Sequence, residues 1–267
     1  MPTDPMQPLA QASIERLRRV KGVLTDIDDT LTRDGAIEPA GLDALRRLHA
    51  SAIPVIAITG RPAGWSEPFA LRWPVKAIVA ENGGVMLLAG PGGLEREFAQ
   101  GAAERAGNAQ RLQACAAAVL HEVPGTRLAA DSAGRLTDIA IDHSEFTQLD
   151  EARIQQAAAL MRRHGLTVTV SSIHINGWIG EHTKWTGAQW AVQRCTGMPI
   201  RPDDWLYVGD STNDQTMFER IPLSVGVANI ARFVPKLDVL PAYVTRAERG
   251  AGFAEMADAL LAARAAE

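Results

Sequence analysis

The chain has 267 residues, 46% of them hydrophobic and 22% charged, and a formal net charge of −4 at pH 7. This balance is that of a folded globular protein and excludes an intrinsically disordered chain. The pI near 5.9, with basic residues scattered along the chain, predicts no affinity for nucleic acid or for an anionic membrane surface.

The first residues predict a polar extension over residues 1–19 and no targeting segment. A proline-containing polar sequence runs to about residue 12, without the basic start and apolar core of a signal peptide. No later stretch reaches the about 20 apolar residues that a membrane span needs. The two cysteines, Cys115 and Cys195, match no disulfide or metal spacing. We therefore expect a cytoplasmic protein without a membrane partner.

The next part of the chain alternates short apolar strands with a helix. Strands are predicted at Gly22–Thr25, Val55–Ile58 and Ala77–Val79, with a helix at Pro39–Ala50 between the first two. The strands are continuous apolar runs, as in strands that are buried on both faces of a sheet. This alternation indicates βαβ units and a parallel sheet.

The middle third predicts an α+β insert over residues 85–176. It opens with a hairpin over Val85–Phe98, whose turn is rich in glycine. Helices are predicted at about 103–121 and 150–164, and strands at about 126–130, 135–142, 167–170 and 173–176. Hairpins of this kind belong to an antiparallel sheet, unlike the parallel units on either side.

The parallel pattern resumes after the insert. Helices are predicted from Lys184 to about Cys195 and at about 215–219 and 252–263, and strands at Trp205–Val208, 224–227 and Tyr243–Val244. The predicted fold is α/β: a Rossmann-like, doubly wound parallel sheet forms a core domain of residues 20–84 and 177–267. An inserted α+β cap domain interrupts that core.

Polar side chains follow the first core strand in an unusual cluster. Asp26 and Asp28 come directly after Gly22–Thr25, and alternation along an extended chain puts both on the same face. Carboxylates are rarely buried unless they are paired or bound to a metal, because their desolvation is costly. The two aspartates are therefore candidates for a site at the end of this strand.

Three other motifs stand where the predicted core strands end or where a core helix begins. They are Thr59-Gly60-Arg61-Pro62, Lys184, and Gly209-Asp210-Ser211-Thr212-Asn213-Asp214. Each alone has a simpler interpretation as a turn, a helix start, a solvated lysine or a helix cap. Ligands of parallel sheets bind outside the carboxyl ends of the strands, so the conjunction favours a single site.

Together, the four motifs resemble those of the haloacid dehalogenase superfamily of phosphohydrolases, in the same order and structural context. The resemblance covers most of the chain. The insert, with Glu81-Asn82-Gly83-Gly84 at its entrance, is similar to the large α+β caps of Cof-like, sucrose-phosphatase-like, mannosyl-phosphoglycerate-phosphatase-like and phosphoglycolate-phosphatase-like members. Asp29 departs from the pattern, since many relatives have glycine there. The resemblance implies a phosphatase with a capped site.

Phosphomonoester hydrolysis gives each motif a predicted role. Asp26 is the expected nucleophile, because a carboxylate of ordinary pKa (about 3.9) is ionised at neutral pH. Asp28 is expected to protonate the leaving oxygen and then to activate water. Thr59 and Lys184 complete the predicted catalytic set by orienting the phosphoryl oxygens and adding a positive charge.

A bound cation is predicted because several carboxylates would otherwise crowd around a phosphate dianion. Mg²⁺ prefers oxygen ligands, which Asp26, Asp210, Asp214 and the carbonyl of Asp28 could supply. The predicted phosphate contacts are Thr59, Gly60, Lys184 and Asn213.

The cap is expected to contact the leaving group of a small phosphorylated metabolite, and a sugar phosphate is favoured. Candidate substrate contacts are Arg61, Asn82, His174 and Asn176. Two other functions stay open at this point: a phosphomutase acting on hexose phosphates, and a non-catalytic protein that binds a phosphorylated ligand. The paired Asp26 and Asp28 argue against a pure binder. The identity of the ester and the oligomeric state are left open.

Overall fold

A computed structural model describes residues 5–266 of the chain. Its strands, in chain order, are β1 (Gln7–Pro8), β2 (Gly22–Thr25), β3 (Thr32–Arg33), β4 (Ala36–Ile37), β5 (Val55–Ile58), β6 (Ala77–Ala80), β7 (Val85–Gly90), β8 (Gly93–Phe98), β9 (Arg127–Leu128), β10 (Asp138–Asp142), β11 (Thr167–Val170), β12 (His174–Trp178), β13 (Trp205–Gly209), β14 (Leu223–Gly226) and β15 (Tyr243–Val244). Its α-helices are α1 (Ile14–Arg19), α2 (Pro39–Ala50), α3 (Ala63–Arg72), α4 (Ala102–Glu122), α5 (Glu151–Arg163), α6 (Lys184–Thr196), α7 (Gln215–Arg220) and α8 (Arg249–Ala265).

The core is a nine-stranded sheet in the order β1-β15-β14-β13-β2-β5-β6-β7-β8. Neighbours from β1 through β6 are parallel, and β7 and β8 continue the sheet antiparallel. Alternate residues of β2 face opposite sides: Val23 packs with α2 and α8, whereas Leu24 packs with α6 and α7. The predicted doubly wound α/β fold is confirmed, with helices on both faces of the sheet.

Two segments lie in this sheet although the sequence assigns them elsewhere. The hairpin β7–β8, predicted to open the cap, pairs with β6 through the register Ala80↔Val85, and its first three residues are fully buried. The predicted N-terminal extension contributes β1 to the sheet edge beside β15, and its Leu9 and Leu17 enter the core. The hairpin joins the sheet because its apolar side chains gain burial there, whereas β1 is exposed and the buried Leu9 and Leu17 lie on the 3-10 turn and the helix that follow it. Residues 1–4 of that extension lie outside the described part of the chain.

The insert is built around its own antiparallel sheet, in the order β11-β12-β10-β9. Helices α4 and α5 cover one face and bury a separate apolar cluster that includes Cys115, Val119, Met161 and Ile175. The strand predicted at about 135–142 begins only at Asp138, because the backbone N–H groups of Leu136 and Thr137 donate to the Glu81 carboxylate instead. We propose residues 102–178 as the insert in place of 85–176.

The sequence analysis does not predict helix α3, which follows the Thr59-Gly60-Arg61-Pro62 motif. Gly64 and Pro68 lie within it, and both weaken a helical signal. The helix is held instead by aromatic contacts at four-residue spacing, with Trp65 and Phe69 rings 4.6 Å apart and Phe69 and Trp73 rings also 4.6 Å apart. Among the described residues, no helix is long and apolar enough to cross a membrane.

Candidate active site

The motif residues meet at one edge of the core sheet because their strands are neighbours. Strand β2 pairs with β13 on one side and with β5 on the other, all in parallel. Asp26, Thr59 and Asp210 therefore follow three adjacent strands at their carboxyl ends. Lys184, the first residue of α6, reaches the same place, where the Thr183 side chain caps the helix.

Lys184 is the buried cation of the site. Its side chain is 2% exposed, and Nζ donates to Asp26 Oδ1 at 2.6 Å and to Asp214 Oδ1 at 2.7 Å. Burial by itself lowers the pKa of the ammonium, but the charges of Asp214 and Asp26 outweigh it and raise that pKa above its ordinary value. Lys184 is therefore charged at neutral pH and fixes one oxygen of Asp26.

Asp214 is saturated with donors. Its Oδ1 accepts from Lys184 and from the Tyr207 hydroxyl, and its Oδ2 accepts from the backbone N–H groups of Asp210 and Ser211 at 2.9 and 3.1 Å. A carboxylate offers about four lone-pair positions, and four donors occupy them. Direct ligation of a metal by Asp214, as the sequence analysis expects, would require one of these donors to leave.

A metal ion fits the acidic cluster of Asp26, Asp210 and Asp214, in which one ligand atom from each residue lies within 4.8 Å of the others. Asp210 is fully buried, with Oδ2 bound by Asn229 at 3.0 Å and by Arg232 at 3.2 Å. Its Oδ1 has no partner among the described residues. Burial, and next the charges of Asp26 and Asp214, raise the pKa of Asp210 well above its ordinary value. A divalent cation at Oδ1 would offset both the burial of this oxygen without a partner and the repulsion between the three carboxylates.

The same penalties affect Asp26. Burial raises its pKa to about 8, although the charge of Lys184 lowers it, and the neighbouring Asp214 and Asp28 add to the rise. A carboxylate that acts as a nucleophile must be ionised at working pH. The ammonium of Lys184 alone does not lower the pKa of Asp26 enough for that, so a further positive charge is needed. The all-oxygen donor set is the kind that a hard cation such as Mg²⁺ prefers.

Arg61 connects Asp28 to the cap. It is 4% exposed, and its Nε lies 3.0 Å from both carboxylate oxygens of Asp28. Its terminal nitrogens donate to Asp131 at 3.0 Å and to Glu145 at 2.8 Å, both on loops of the insert. Burial raises the pKa of Asp28, and Arg61 opposes that rise only in part.

Glu145 is held between the core arginine and a cap histidine. Its second oxygen lies 2.9 Å from His174 Nε2. Burial raises the pKa of Glu145, but the hydrogen bonds with His174 and Arg61 outweigh burial and lower it to about 2. A further contact joins the insert to the core, since Asn176 on β12 donates to the carbonyl of Gly60 at 3.2 Å. The cap is therefore closed onto the core, and the cavity between them is about 10 Å³.

Glu81 forms a second link between core and cap, at the junction of β6 and β7. It, Asn82 and Gly83 have φ values of 52°, 53° and 110°, all in the left-handed region. The fully buried Glu81 carboxylate accepts from the backbone N–H of Ala63 at 2.9 Å and from that of Thr137 at 2.6 Å. The strained junction is thus fixed to both parts of the chain.

Asp29, the departure from the superfamily pattern, has φ = 55°, a conformation for which glycine is the default residue and which aspartate tolerates. Its carboxylate accepts from Arg232 at 2.6 Å and from Arg249 at 2.8 Å. Burial raises the pKa of Asp29, but these two arginines outweigh it and lower that pKa. Two ion pairs therefore support the left-handed backbone.

The structure brings most of the predicted site residues together. Those that line the small cavity are Asp26, Asp28, Thr59, Gly60, Arg61, His174, Asn176 and Asn213. Lys184, Asp210 and Asp214 lie against Asp26. Asn82 is different: it lies behind Gly60, its two side-chain polar atoms are buried and have no partner among the described residues, and it does not line the cavity.

The sequence analysis misses the residues that reach the site from loops. Asp131 and Glu145 belong to turns of the insert, and Asn229 and Arg232 follow β14. The sequence places Glu81 only at the cap entrance and predicts no contact for it. No motif or periodicity marks these positions, because only tertiary contact brings them to Asp28 and Asp210. Arginine and acid pairs far apart in sequence are the sole hint, and they are common on any surface.

Comparison with known proteins agrees with this geometry. A family model described as haloacid dehalogenase-like hydrolase matches residues 23–100. A phosphoglycolate phosphatase of Methanothrix thermoacetophila is 28% identical over 249 residues, which cover 91% of this chain and 98% of that protein. Another, from Haloarcula marismortui, is 29% identical over 214 residues, or 78% of this chain and 84% of that protein.

Solved structures show the same fold at low sequence identity. A Thermoplasma acidophilum protein has a TM-score of 0.70 at 16% identity, covering 91% of this chain and 98% of its own. The sucrose-phosphatase of Synechocystis, solved with sucrose and phosphate, has a TM-score of 0.65 at 16% identity, covering 90% of this chain and 98% of its own. The family model and these relatives support a phosphatase that is similar to the haloacid dehalogenase-like hydrolases.

Proposed function

We propose that this phosphatase is a Mg²⁺-dependent phosphomonoester hydrolase that acts on a small phosphate ester, in particular a sugar phosphate, through an aspartyl-phosphate. The observation that carries the proposal is the buried pairing of Asp26 with Lys184 at 2.6 Å, beside Asp28 and the orphaned oxygen of Asp210. A nucleophile, an acid/base and a cation site thus meet at one sheet edge.

In the first step Asp26 attacks the phosphorus atom, and the bond from phosphorus to the leaving oxygen breaks. Asp28 lines the same cavity and delivers a proton to that oxygen, so that an alcohol leaves. Lys184 holds Asp26 Oδ1 in place, and the Thr59 hydroxyl, which accepts from the N–H of Arg61 at 3.0 Å, faces the phosphoryl oxygens.

In the second step Asp28 takes a proton from water, which attacks the phosphorus of the aspartyl-phosphate. The bond from phosphorus to the Asp26 oxygen breaks, and inorganic phosphate and the free carboxylate are restored. Asn213, oriented by the Ser211 hydroxyl at 2.9 Å, is placed to donate to the phosphate.

Asp26, Asp210 and the carbonyl of Asp28 would hold Mg²⁺, with Asp214 orienting Lys184 beside them. When bound, the cation would neutralise the crowded carboxylates and the charge that develops on the phosphoryl oxygens. Asn229 and Arg232 fix Asp210 Oδ2, which directs Oδ1 toward the cluster.

The closed cap supports a small substrate. Glu145 on a loop of the insert and Asn176 on β12 lie directly on Arg61 and Gly60, so a phosphorylated protein side chain would find no room while these contacts hold. The names of the relatives suggest phosphoglycolate and sucrose phosphate as members of the candidate set. A hydrogen-bonding cap of carboxylate, imidazole and amide groups favours a sugar phosphate.

The test is a phosphate-release screen with the purified protein and MgCl₂, against hexose phosphates, phosphoglycolate, nucleotides and an aryl phosphate. We expect turnover of at least one sugar phosphate, with loss of activity in the Asp26→Asn protein. Binding of these esters without turnover across the panel would refute the proposal that the protein is a hydrolase. Conversion of a hexose phosphate to its isomer without phosphate release would identify a mutase instead.

A further inference from the structure

We infer that the leaving group of the substrate occupies a second cavity, at the mouth of the site, and that this cavity selects an uncharged polyhydroxyl group over a carboxylate. The cavity has a volume of about 300 Å³. The inference rests on the proposed function, because it takes Asp28 as the acid that protonates the leaving group.

The position of the cavity follows from the residues that it shares with the inner one. Asp28, Arg61, Ser172 and Ile173 line both. A phosphoryl group on Asp26 would place its leaving oxygen at Asp28, and the rest of the leaving group would extend outward past Arg61. The inner cavity of about 10 Å³ has no room for an organic group, whereas the mouth cavity has the size of a small-ligand site.

Paired charges at the mouth disfavour an anionic leaving group. Three arginines line the cavity, but each already faces a carboxylate: Arg61 binds Asp28 and Glu145, while Arg232 and Arg249 both bind Asp29. The carboxylates that line it are Asp28, Asp29, Asp34 and Glu145. Four acids against three arginines leave an entering carboxylate without a free cation and in contact with like charges.

An uncharged polyol is not repelled by the carboxylates of this cavity. Its hydroxyl groups donate to carboxylate oxygens and accept from guanidinium groups without disturbing the existing pairs. The hydroxyls of Thr32, Ser144 and Ser172 add further partners around the cavity. Phe146, at the rim, is 75% exposed and offers an apolar surface to the C–H face of a sugar ring.

The first experiment compares kcat/KM of the native protein for hexose 6-phosphates and for phosphoglycolate, with MgCl₂ present. We expect at least one hexose phosphate to exceed phosphoglycolate by roughly tenfold or more. Equal or faster hydrolysis of phosphoglycolate would overturn the assignment, and it would leave the phosphatase reaction itself intact.

Two variants test which residues make the selection. Glu145→Gln removes one like charge, so the ratio of phosphoglycolate to hexose phosphate kcat/KM should rise by roughly threefold or more. Phe146→Ala should raise KM for hexose phosphate more than for acetyl phosphate, whose leaving group is too short to reach the rim. Met198→Ala, at a position that is 61% exposed and far from these loops in sequence, is the matched control and should change neither ratio. Equal changes for every substrate would contradict a leaving-group site.

Binding to the Asp26→Asn protein separates failure of this inference from failure of the proposed function. Titration calorimetry with MgCl₂ should show tighter binding of hexose 6-phosphate than of phosphoglycolate, even if no ester is turned over. Tighter binding of phosphoglycolate would overturn the inference whether or not the native protein is a hydrolase.

Discussion

The core half and the cap half of the site are built in different ways. In the core, Lys184, Asp26 and Asp214 stand at the ends of buried elements, and Lys184 Nζ lies within 2.7 Å of an oxygen of each carboxylate. In the cap, Glu145 lies on a loop, where it contacts His174 of the same insert and Arg61 of the core, and its contact with Arg61 exists only while the cap is closed. The core half is fixed by the backbone of the sheet, whereas the cap half is assembled by docking.

This difference separates chemistry from selection. In the proposed mechanism, the sheet edge holds the groups that act on phosphorus, which are common to any phosphate ester. The loops hold the groups that would meet the leaving group, which distinguishes one ester from another. Changes in the core half should therefore affect all substrates, and changes in the cap half should depend on the substrate.

The largest expected effect comes from the core nucleophile. Asp26→Asn should lower kcat by at least about 10⁴-fold for every substrate, because an amide is a far weaker nucleophile than the carboxylate that the proposed mechanism uses. Phosphate release under MgCl₂ measures it, with circular dichroism to confirm folding. Activity within about tenfold of native would show that Asp26 is not the nucleophile.

Removal of divalent cations should lower turnover by a comparable factor. Treatment with EDTA should abolish turnover, and added Mg²⁺ should restore it, since Asp210 Oδ1 is buried without a partner among residues 5–266. The measurement is initial rate against free Mg²⁺ concentration. Rates that do not change in metal-free buffer would remove the cation from the mechanism.

Loss of the buried Lys184 ammonium should destabilise the core itself. Lys184→Met leaves Asp26 and Asp214 without their ammonium and should lower the free energy of unfolding by about 3–5 kcal/mol. Urea denaturation at neutral pH measures the change. Lys21→Met is the matched control: Lys21 pairs with Asp204 at 2.8 Å but is 65% exposed, so its loss should cost less than about 1 kcal/mol. Similar effects of the two substitutions would contradict the pairing.

A smaller effect is expected where the two halves meet. Arg61→Lys keeps the charge but loses the planar fork that reaches Asp28, Asp131 and Glu145, so kcat/KM should fall by roughly tenfold to a hundredfold. Arg33→Lys, at an exposed pair with Glu38, should leave the rate unchanged. If Arg61→Lys were fully active, closure of the cap would not depend on this fork.

A pH dependence of stability, with no effect on the chemical step, is expected at the junction of core and cap. His182 is 8% exposed, its ring lies 5.6 Å from that of Trp178, and burial lowers its pKa from 6.5 to about 4. Because the folded pKa is the lower one, the stability that His182 contributes is present above pH 6.5 and is lost as the pH falls toward 4.

His182→Gln should therefore reduce the fall in unfolding free energy between neutral pH and about pH 4 by about 3 kcal/mol. Urea titrations of both proteins at the two pH values give this difference, in which all other titrating groups cancel. An identical fall in the variant would mean that His182 is not buried as a neutral ring.

The sequence could predict the core half because local patterns determine it. Asp26 and Lys184 stand where a buried strand ends and a helix begins, and a parallel sheet brings such positions together. Asp131 and Glu145 could not be predicted, since turns carry no periodicity and their partner Arg61 is 70 and 84 residues away in the chain. The hairpin β7–β8 is predicted to lie in the insert but pairs with the core sheet, because the sequence of an apolar hairpin does not determine which sheet edge it extends.

The stereochemical course at phosphorus tests the central claim most directly. A substrate with a chiral, isotopically labelled phosphoryl group is hydrolysed, or its phosphoryl group is transferred to an alcohol acceptor, and the configuration of the product is determined. Attack by Asp26 followed by attack of the acceptor comprises two inversions, so we predict net retention of configuration. Net inversion would mean a single direct displacement and would contradict an aspartyl-phosphate on Asp26.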